Sequence, residues 1–325
     1  MLPTLDEVRS AADVVRAVLP ATPQFCWPLL CERTGAEVWV KHENHQPVGA
    51  FKIRGGIVLI DQLVQSKARL AGVITATRGN HGQSIAYGAQ RHTLRCVVVV
   101  PHGNSVEKNL AMRAWGAELV EYGTDFNEAV EHAEELSERR ELSFIHSFDP
   151  LLVRGVATYW LELFEAVAGL DVVYVPIGLG SGICSGIAVR DSLGLRTRVI
   201  GVVSNAAPTY ALSFDAGQIV EHPASTRIAD GVAVRRPNAE ALEIIRRGAD
   251  RVIQVTDDEV ESAMRAYFTD THNVAEGAGA APLAALIREH EQMRDKKVGL
   301  ILTGGNVDRG VFSRVLASRS ADTAR

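Results

Sequence analysis

Four short segments of this 325-residue chain combine the residue types that chemistry uses. The first reads Lys41-His42-Glu43-Asn44-His45-Gln46-Pro47-Val48-Gly49-Ala50-Phe51-Lys52-Ile53-Arg54-Gly55-Gly56. A lysine that follows an aromatic residue and a Pro/Gly turn, and opens an apolar helical run, is partly desolvated. That lowers its pKa and leaves an amine able to act as a nucleophile and form a Schiff base. The same position also suits a lysine that merely carries its charge out past a helix start. The second segment, Thr75-Ala76-Thr77-Arg78-Gly79-Asn80-His81-Gly82-Gln83-Ser84, reads as a strand that ends in small polar residues and opens a helix. Backbone N–H groups there, with the Thr77 and Asn80 side chains, make a site for a carboxylate. Plain capping of the helix by Thr77 or Asn80 is the alternative. His81 taken singly is more often a packed histidine than a catalyst.

The third segment, Pro176-Ile177-Gly178-Leu179-Gly180-Ser181-Gly182-Ile183-Cys184-Ser185-Gly186, repeats the order strand, glycine-rich loop, helix. Glycines let the backbone approach an anion, and the helix start supplies aligned N–H donors, so a phosphate fits without a basic side chain. A dinucleotide would fit too, although the G-x-G-x-x-G spacing with a later acid is not cleanly met. The fourth, Leu302-Thr303-Gly304-Gly305-Asn306-Val307-Asp308, closes a strand with a neutral hydroxyl and leaves room for a flat ring beside two glycines. Singly it is more often a turn.

Such loops must be held by something regular. Short β-branched runs are predicted as strands over Ala36–His42, Gly72–Thr77, Leu94–Val100, Ala117–Tyr122, Leu142–His146, Asp171–Pro176, Thr197–Ser204, Arg251–Thr256 and Lys297–Thr303. Amphipathic helices are predicted over Phe126–Arg140, Leu151–Ala168, Asp257–Thr271 and Pro282–Arg294. This alternation is that of an α/β protein with mainly parallel sheets. Ligands of such sheets bind beyond the carboxyl ends of strands, where all four segments fall. No repeat or long linker interrupts the pattern, and Ser318–Arg325 reads as a fraying tail.

Composition narrows the partners. At 46% hydrophobic, 22% charged and a net charge of -5, with Lys and Arg scattered, the chain offers no footprint for nucleic acid. Cys26, Cys31, Cys96 and Cys184 show no zinc spacing and read as isolated, reduced thiols. The start, Met1-Leu2-Pro3-Thr4-Leu5-Asp6-Glu7, lacks the basic residues of a secretory signal, and no apolar run approaches a membrane span. A cytoplasmic location is expected, with no membrane partner.

Together, in order and over roughly residues 20 to 315, the four segments resemble fold-type II pyridoxal-phosphate (PLP) enzymes, the tryptophan-synthase-β-like family. The closest likeness is to its serine/threonine dehydratase branch, which includes serine racemases; Ala50-Phe51-Lys52-Ile53-Arg54-Gly55 with Gly79-Asn80-His81-Gly82-Gln83 is the most specific pairing. The resemblance implies a two-domain α/β fold of mainly parallel twisted sheets flanked by helices. A large PLP-binding domain of residues 1–71 plus 149–325 and a small mobile domain of 72–148 are implied, in a homodimer. It implies that Lys52 carries PLP as a Schiff base and that Phe51 lies against it. Asn80 would partner its phenolic oxygen, Gly178, Leu179, Gly180, Ser181 and Gly182 would cradle its phosphate, and Thr303 would sit by the pyridine nitrogen. Thr77, Arg78, Gly79, Asn80 and His81 match the loop that grips the amino-acid substrate. Glu276-Gly277-Ala278-Gly279-Ala280-Ala281 and Ile228-Ala229-Asp230-Gly231-Val232 look like dehydratase signatures, Glu276 counting with the cofactor residues.

A neutral hydroxyl at the ring nitrogen cannot keep it protonated as a carboxylate would, which favours prompt loss of a β-leaving group over prolonged carbanion chemistry. The implied reaction is β-elimination from a β-hydroxy-amino acid such as threonine, serine or 3-hydroxyaspartate. Lys52 would act as the general base, and the products would be a 2-oxo acid and ammonia. Three departures qualify this. Arg78 stands where the racemases place a serine that acts as second acid/base, so racemisation loses a proton carrier; its guanidinium suits an anionic β-substituent, or simply solvent. The Gly-Leu-Gly-Ser-Gly loop is one residue longer than the usual dehydratase loop, which keeps a cysteine- or cystathionine-synthase-like β-replacement in play. Val202–Thr209 has no carboxylate for the cation that some relatives carry there, so no metal is expected. The chain also ends soon after its last core strand, and no C-terminal regulatory domain is expected.

Overall fold

The computed structural model describes residues 2–66 and 70–318; of the expected tail, everything after Ser318 lies outside them. Ten strands are present among the described residues: β1 (Gln24–Cys26), β2 (Glu37–His42), β3 (Val73–Ala76), β4 (Cys96–Val100), β5 (Glu118–Glu121), β6 (Ser143–Phe144), β7 (Val172–Pro176), β8 (Arg198–Ser204), β9 (Arg251–Val255) and β10 (Lys297–Leu302). All nine expected strands form, trimmed at their ends.

The tenth, β1, escapes periodicity. It is three residues long and pairs antiparallel with β2, Phe25 opposite Val40. Its chain neighbour Pro28 starts the Pro28–Thr34 helix, and that turn returns Cys31 over the strand. Cys26 and Cys31, expected to be isolated, therefore lie with their Sγ atoms 3.6 Å apart. A second correction concerns Pro282. It does not open its helix, which begins at Gly277 and runs to Arg288 with the proline inside; a short separate turn, His290–Met293, follows.

The chain divides into two compact units, residues 1–21 with 46–159 and residues 22–45 with 160–325. The first holds the parallel sheet β5-β4-β3-β6, the second the sheet β1-β2-β10-β7-β8-β9, parallel apart from β1. The expected division, 1–71 plus 149–325 against 72–148, is thus displaced: residues 1–21, 46–71 and 149–159 group with the smaller sheet. The physical reason is packing. The Lys52–Ser66 helix presents Gly55 and Gly56 to its neighbours, so the Asn80–Arg91 helix and the start of the Pro150–Ala166 helix approach it at backbone distance. A Cβ on Gly56 would lie 2.6 Å from the Ser84 carbonyl oxygen, and one on Gly55 2.9 Å from that of Leu152.

Strand burial follows from parallel pairing with helices on both faces. Every residue of β3, β4 and β7 is buried, as the unbroken apolar run of Val97–Val100 requires. Inside the second unit a charged cluster is also buried: Lys41 Nζ lies 2.7 Å from Glu162 and donates to the Thr22 carbonyl at 2.8 Å, while Thr22 Oγ1 donates to Glu43 at 2.6 Å. Each polar group that leaves water there has a partner, which is the condition for keeping it in a core. Among the described residues no helix is long and apolar enough to cross a membrane, and no three His, Cys, Asp or Glu side chains gather as metal ligands would.

Candidate active site

The first unit carries Phe51, Lys52 and Thr77 to His81. Lys52 is the first residue of its helix, and its carbonyl accepts from Ser84 Oγ at 2.6 Å, which ties it to the helix that Asn80 begins. Its amine lies 5.3 Å from the Phe51 ring centre, and that ring meets Tyr159 edge-on with centroids 6.1 Å apart. The side chain keeps some exposure, yet protein surrounds the amine closely enough that desolvation pulls its pKa from 10.5 to about 8. The expectation of a desolvated lysine is met; a lysine reaching out into water would not show this.

The turn after β3 is shaped by its own threonine. Thr77 Oγ1 is buried and accepts from the N–H groups of Gly79 at 2.9 Å and Gly82 at 3.3 Å. The capping reading is therefore correct for Thr77, with the cap supplied from outside the helix; Gly79, at the N-cap position, offers no side chain. Asn80 is the first helical residue. Arg78 is exposed, without a hydrogen bond or ion pair among the described residues.

His81 is 5% exposed, and its tautomer follows from its neighbours. The Thr75 hydroxyl spends its proton on the Ile145 carbonyl at 2.8 Å, so His81 Nε2, 3.0 Å from that oxygen, must be the donor. Nδ1 then bears a lone pair and is buried without a partner. Desolvation, with the nearby Lys52 charge, lowers the ring's pKa to about 3. A neutral ring whose one N–H is already committed cannot donate to a carboxylate; the donors of this turn are its backbone amides.

The second unit carries Gly178 to Gly182, Glu276 and Thr303. After β7 the chain turns through Gly180, whose φ of +106° is a left-handed conformation that favours glycine, into the Ser181–Ser192 helix. No side chain caps that helix, so its first amides face outward for an anion. The loop's back is closed by other segments. A Cβ on Gly180 would lie 2.6 Å from Ala241 Cβ, and one on Gly178 2.5 Å from the Gly231 carbonyl. Trp160 Nε1 donates to the Gly182 carbonyl at 2.8 Å, and Tyr210 OH to the Leu179 carbonyl at 2.9 Å. With its back packed and no side chain from Gly180 capping its helix, the loop fits a phosphate group.

The two signature segments find their role here. Gly231 of Ile228–Val232 backs the loop, and a Cβ added to it would lie 2.8 Å from Ala278 Cβ, so the Gly277–Arg288 helix packs behind it in turn. Glu276, 3% exposed, donates its N–H to the Gly304 carbonyl at 3.0 Å and so holds the turn that follows Thr303, itself 3% exposed at the end of β10. Sequence reasoning did not find Tyr210, Trp160 or Thr75. Only Thr75 lay inside a segment already singled out; nothing local marks the two aromatic residues.

The family described as pyridoxal-phosphate dependent enzyme matches residues 18–304. An L-threonine ammonia-lyase of Geobacter sulfurreducens is 38% identical over 313 residues, 95% of this chain and 77% of that protein. The catabolic L-threonine dehydratase of Escherichia coli K12 is 33% identical over 311 residues, 94% of this chain and 92% of that one. Among solved structures, the processed form of threonine deaminase isoform 2 from Solanum lycopersicum superposes with a TM-score of 0.87 at 28% identity, over 98% of this chain and 95% of that one. Maize serine racemase superposes with a TM-score of 0.90 at 25% identity, over 97% of each.

Proposed function

The chain belongs to the pyridoxal-phosphate dependent enzymes, and from that premise we propose that it is an ammonia-lyase removing the β-hydroxyl of a β-hydroxy-amino acid such as threonine, serine or 3-hydroxyaspartate. The observation that carries the reading is the Lys52 amine, at the start of its helix and 5.3 Å from the Phe51 ring centre, where desolvation lowers its pKa to about 8, within reach of a neutral, proton-accepting form. Lys52 would hold the cofactor's aldehyde carbon, with Phe51 beside it and Asn80 at its phenolic oxygen. Gly178, Leu179, Gly180, Ser181 and Gly182 would hold its phosphate, and Glu276 would fix the turn that presents Thr303 to the pyridine nitrogen. When bound, pyridoxal phosphate supplies a conjugated electron sink next to the substrate's Cα.

The remaining work falls to the chain's own residues. Backbone amides of the turn that Thr77 shapes, other than the Gly79 and Gly82 N–H groups that Thr77 itself takes, would hold the substrate carboxylate. Lys52 Nζ would take the Cα proton and pass it to the departing β-hydroxyl, which would leave as water, and hydrolysis of the released enamine would give the 2-oxo acid and ammonia. Thr303, a neutral hydroxyl, would not hold a proton on the ring nitrogen as a carboxylate would, and the chemistry the cofactor would supply there favours early departure of the β-group. Arg78 offers no second proton carrier for racemisation, since a guanidinium does not deprotonate. The reading includes a homodimer acting on free amino acids in the cytoplasm.

A panel of β-hydroxy-amino acids in both enantiomers, scored for ammonia and 2-oxo acid, tests it. Turnover of at least one β-hydroxy substrate is expected. Release of neither product from any member, with thiol-dependent β-replacement instead, would overturn it.

A further inference from the structure

The structure shows what holds the Gly178–Gly182 loop of the second unit from behind. Tyr210, 1% exposed on the Thr209–Ala216 helix, places its phenol between two backbone groups. It accepts from the Asn238 N–H at 3.0 Å, so its own proton goes to the Leu179 carbonyl at 2.9 Å. Burial pushes the phenol well above its ordinary pKa, which keeps that proton in place. A peptide's carbonyl and its following N–H point in opposite directions. A carbonyl of Leu179 drawn back toward Tyr210 therefore leaves the Gly180 N–H turned to the loop's open side, and the left-handed Gly180 is the conformation that permits it.

We propose that Tyr210 is a positioning residue for the cofactor phosphate: its hydroxyl fixes the Leu179–Gly180 peptide so that the Gly180 amide donates to that phosphate. The inference rests on the reading of Gly178–Gly182 as the phosphate loop. The Asn238 amide it also satisfies opens the Ala239–Gly248 helix, which Asn238 caps through its side chain at 3.0 Å to Ala241 N. One phenol thus ties the loop to the helix behind it.

The test compares pyridoxal phosphate with pyridoxal, which lacks the phosphate, by titrating apoenzyme and following the imine absorbance. Wild type should bind pyridoxal phosphate far more tightly. Tyr210→Phe should weaken pyridoxal phosphate about tenfold, the effect of one buried hydrogen bond, and leave pyridoxal unchanged, so the ratio of the two constants falls about tenfold. Equal weakening of both ligands, or an unchanged ratio, overturns the proposal. Wild type that binds neither overturns the cofactor reading itself, a separable failure. A measurement on unmutated protein guards against a variant that does not fold: with glycine amides labelled, the Gly180 signal should shift on adding inorganic phosphate, and a signal that stays put while phosphate binds also overturns it.

Discussion

The turn after β3 and the loop after β7 have the same plan, a buried parallel strand whose following turn opens a helix, yet they are held in opposite ways. Thr77 shapes the first from within, accepting from Gly79 and Gly82. The second is held from outside by Tyr210, Trp160, Ala241 and Gly231. A turn that carries its own acceptor leaves neighbouring side chains for the substrate. A loop of bare backbone suits a phosphate that stays, because its donors are fixed before the ligand arrives.

The largest effect is expected at Lys52, which Ser84 ties to the helix of the first turn. Lys52→Ala removes the amine that takes the Cα proton, and kcat should fall by a factor on the order of 10³ to 10⁴. Pre-steady-state absorbance of the variant with substrate would check it; a variant that keeps a tenth of wild-type turnover removes Lys52 from the chemistry.

The two loops themselves come next. Gly180→Ala forces a Cβ into a left-handed position and against Ala241, a strain of a few kcal/mol, so cofactor affinity should drop on the order of 100-fold. Thr77→Val keeps the shape but strands two amides, and KM for the amino acid should rise about tenfold with cofactor affinity unmoved. Apoenzyme titration and steady-state kinetics read both. If Thr77→Val weakens the cofactor as much as Gly180→Ala does, the division of labour between the loops is wrong.

Acid should act on both units through buried histidines. His81 in the first is lowered to about 3 by desolvation and then by Lys52; His42 in the second is lowered to about 4 by desolvation, then His45, with Lys41 contributing. His42 Nε2 accepts from Trp27 Nε1 at 3.0 Å, so this ring too is held neutral. Below the ordinary value of 6.5 the unfolded chain binds protons that the folded one refuses, and stability falls with pH until the folded values are reached. Each ring contributes a slope of up to about 1.4 kcal/mol per pH unit. Urea unfolding between pH 6.5 and 5 should show it, and His81→Gln, which keeps an N–H toward Thr75, should remove about half of that histidine-dependent slope. An unchanged slope would mean that His81 is charged in the folded protein.

How much of this the sequence discloses follows from the same contrast. Lys52, Thr77 and the glycine loop could be singled out because the features that mark them are contiguous: an aromatic before a lysine, a hydroxyl two residues before a glycine, three glycines at a helix start. Nine strands were legible because burial on both faces leaves long β-branched runs. Tyr210 was not, because its two partners stand 31 and 28 residues away and neither is a side chain. The β1 strand was hidden by its length. The unit boundary was hidden because Gly55 and Gly56 act through the backbones they allow to approach, which no hydrophobic pattern records. The tautomer of His81 could not be read from its own segment alone, since Thr75 and Ile145 set it together.

The smallest effect is expected at Arg78, where the first turn differs most from the second. No residue of the second loop carries a charge, whereas Arg78 stands exposed with no ion pair among the described residues. A guanidinium so placed costs little to keep in water and gains only from a ligand that brings a carboxylate. Arg78→Ala should therefore change kcat/KM for threonine less than about twofold, while for 3-hydroxyaspartate the loss of a charge-assisted pair should lower it about tenfold. Raising the salt concentration should erode the wild-type preference for the anionic substrate and leave the variant indifferent, because an exposed pair is screened. Equal losses on both substrates would show that Arg78 supports the turn as Thr77 does, and the charge on this loop would then have no part in choosing the substrate.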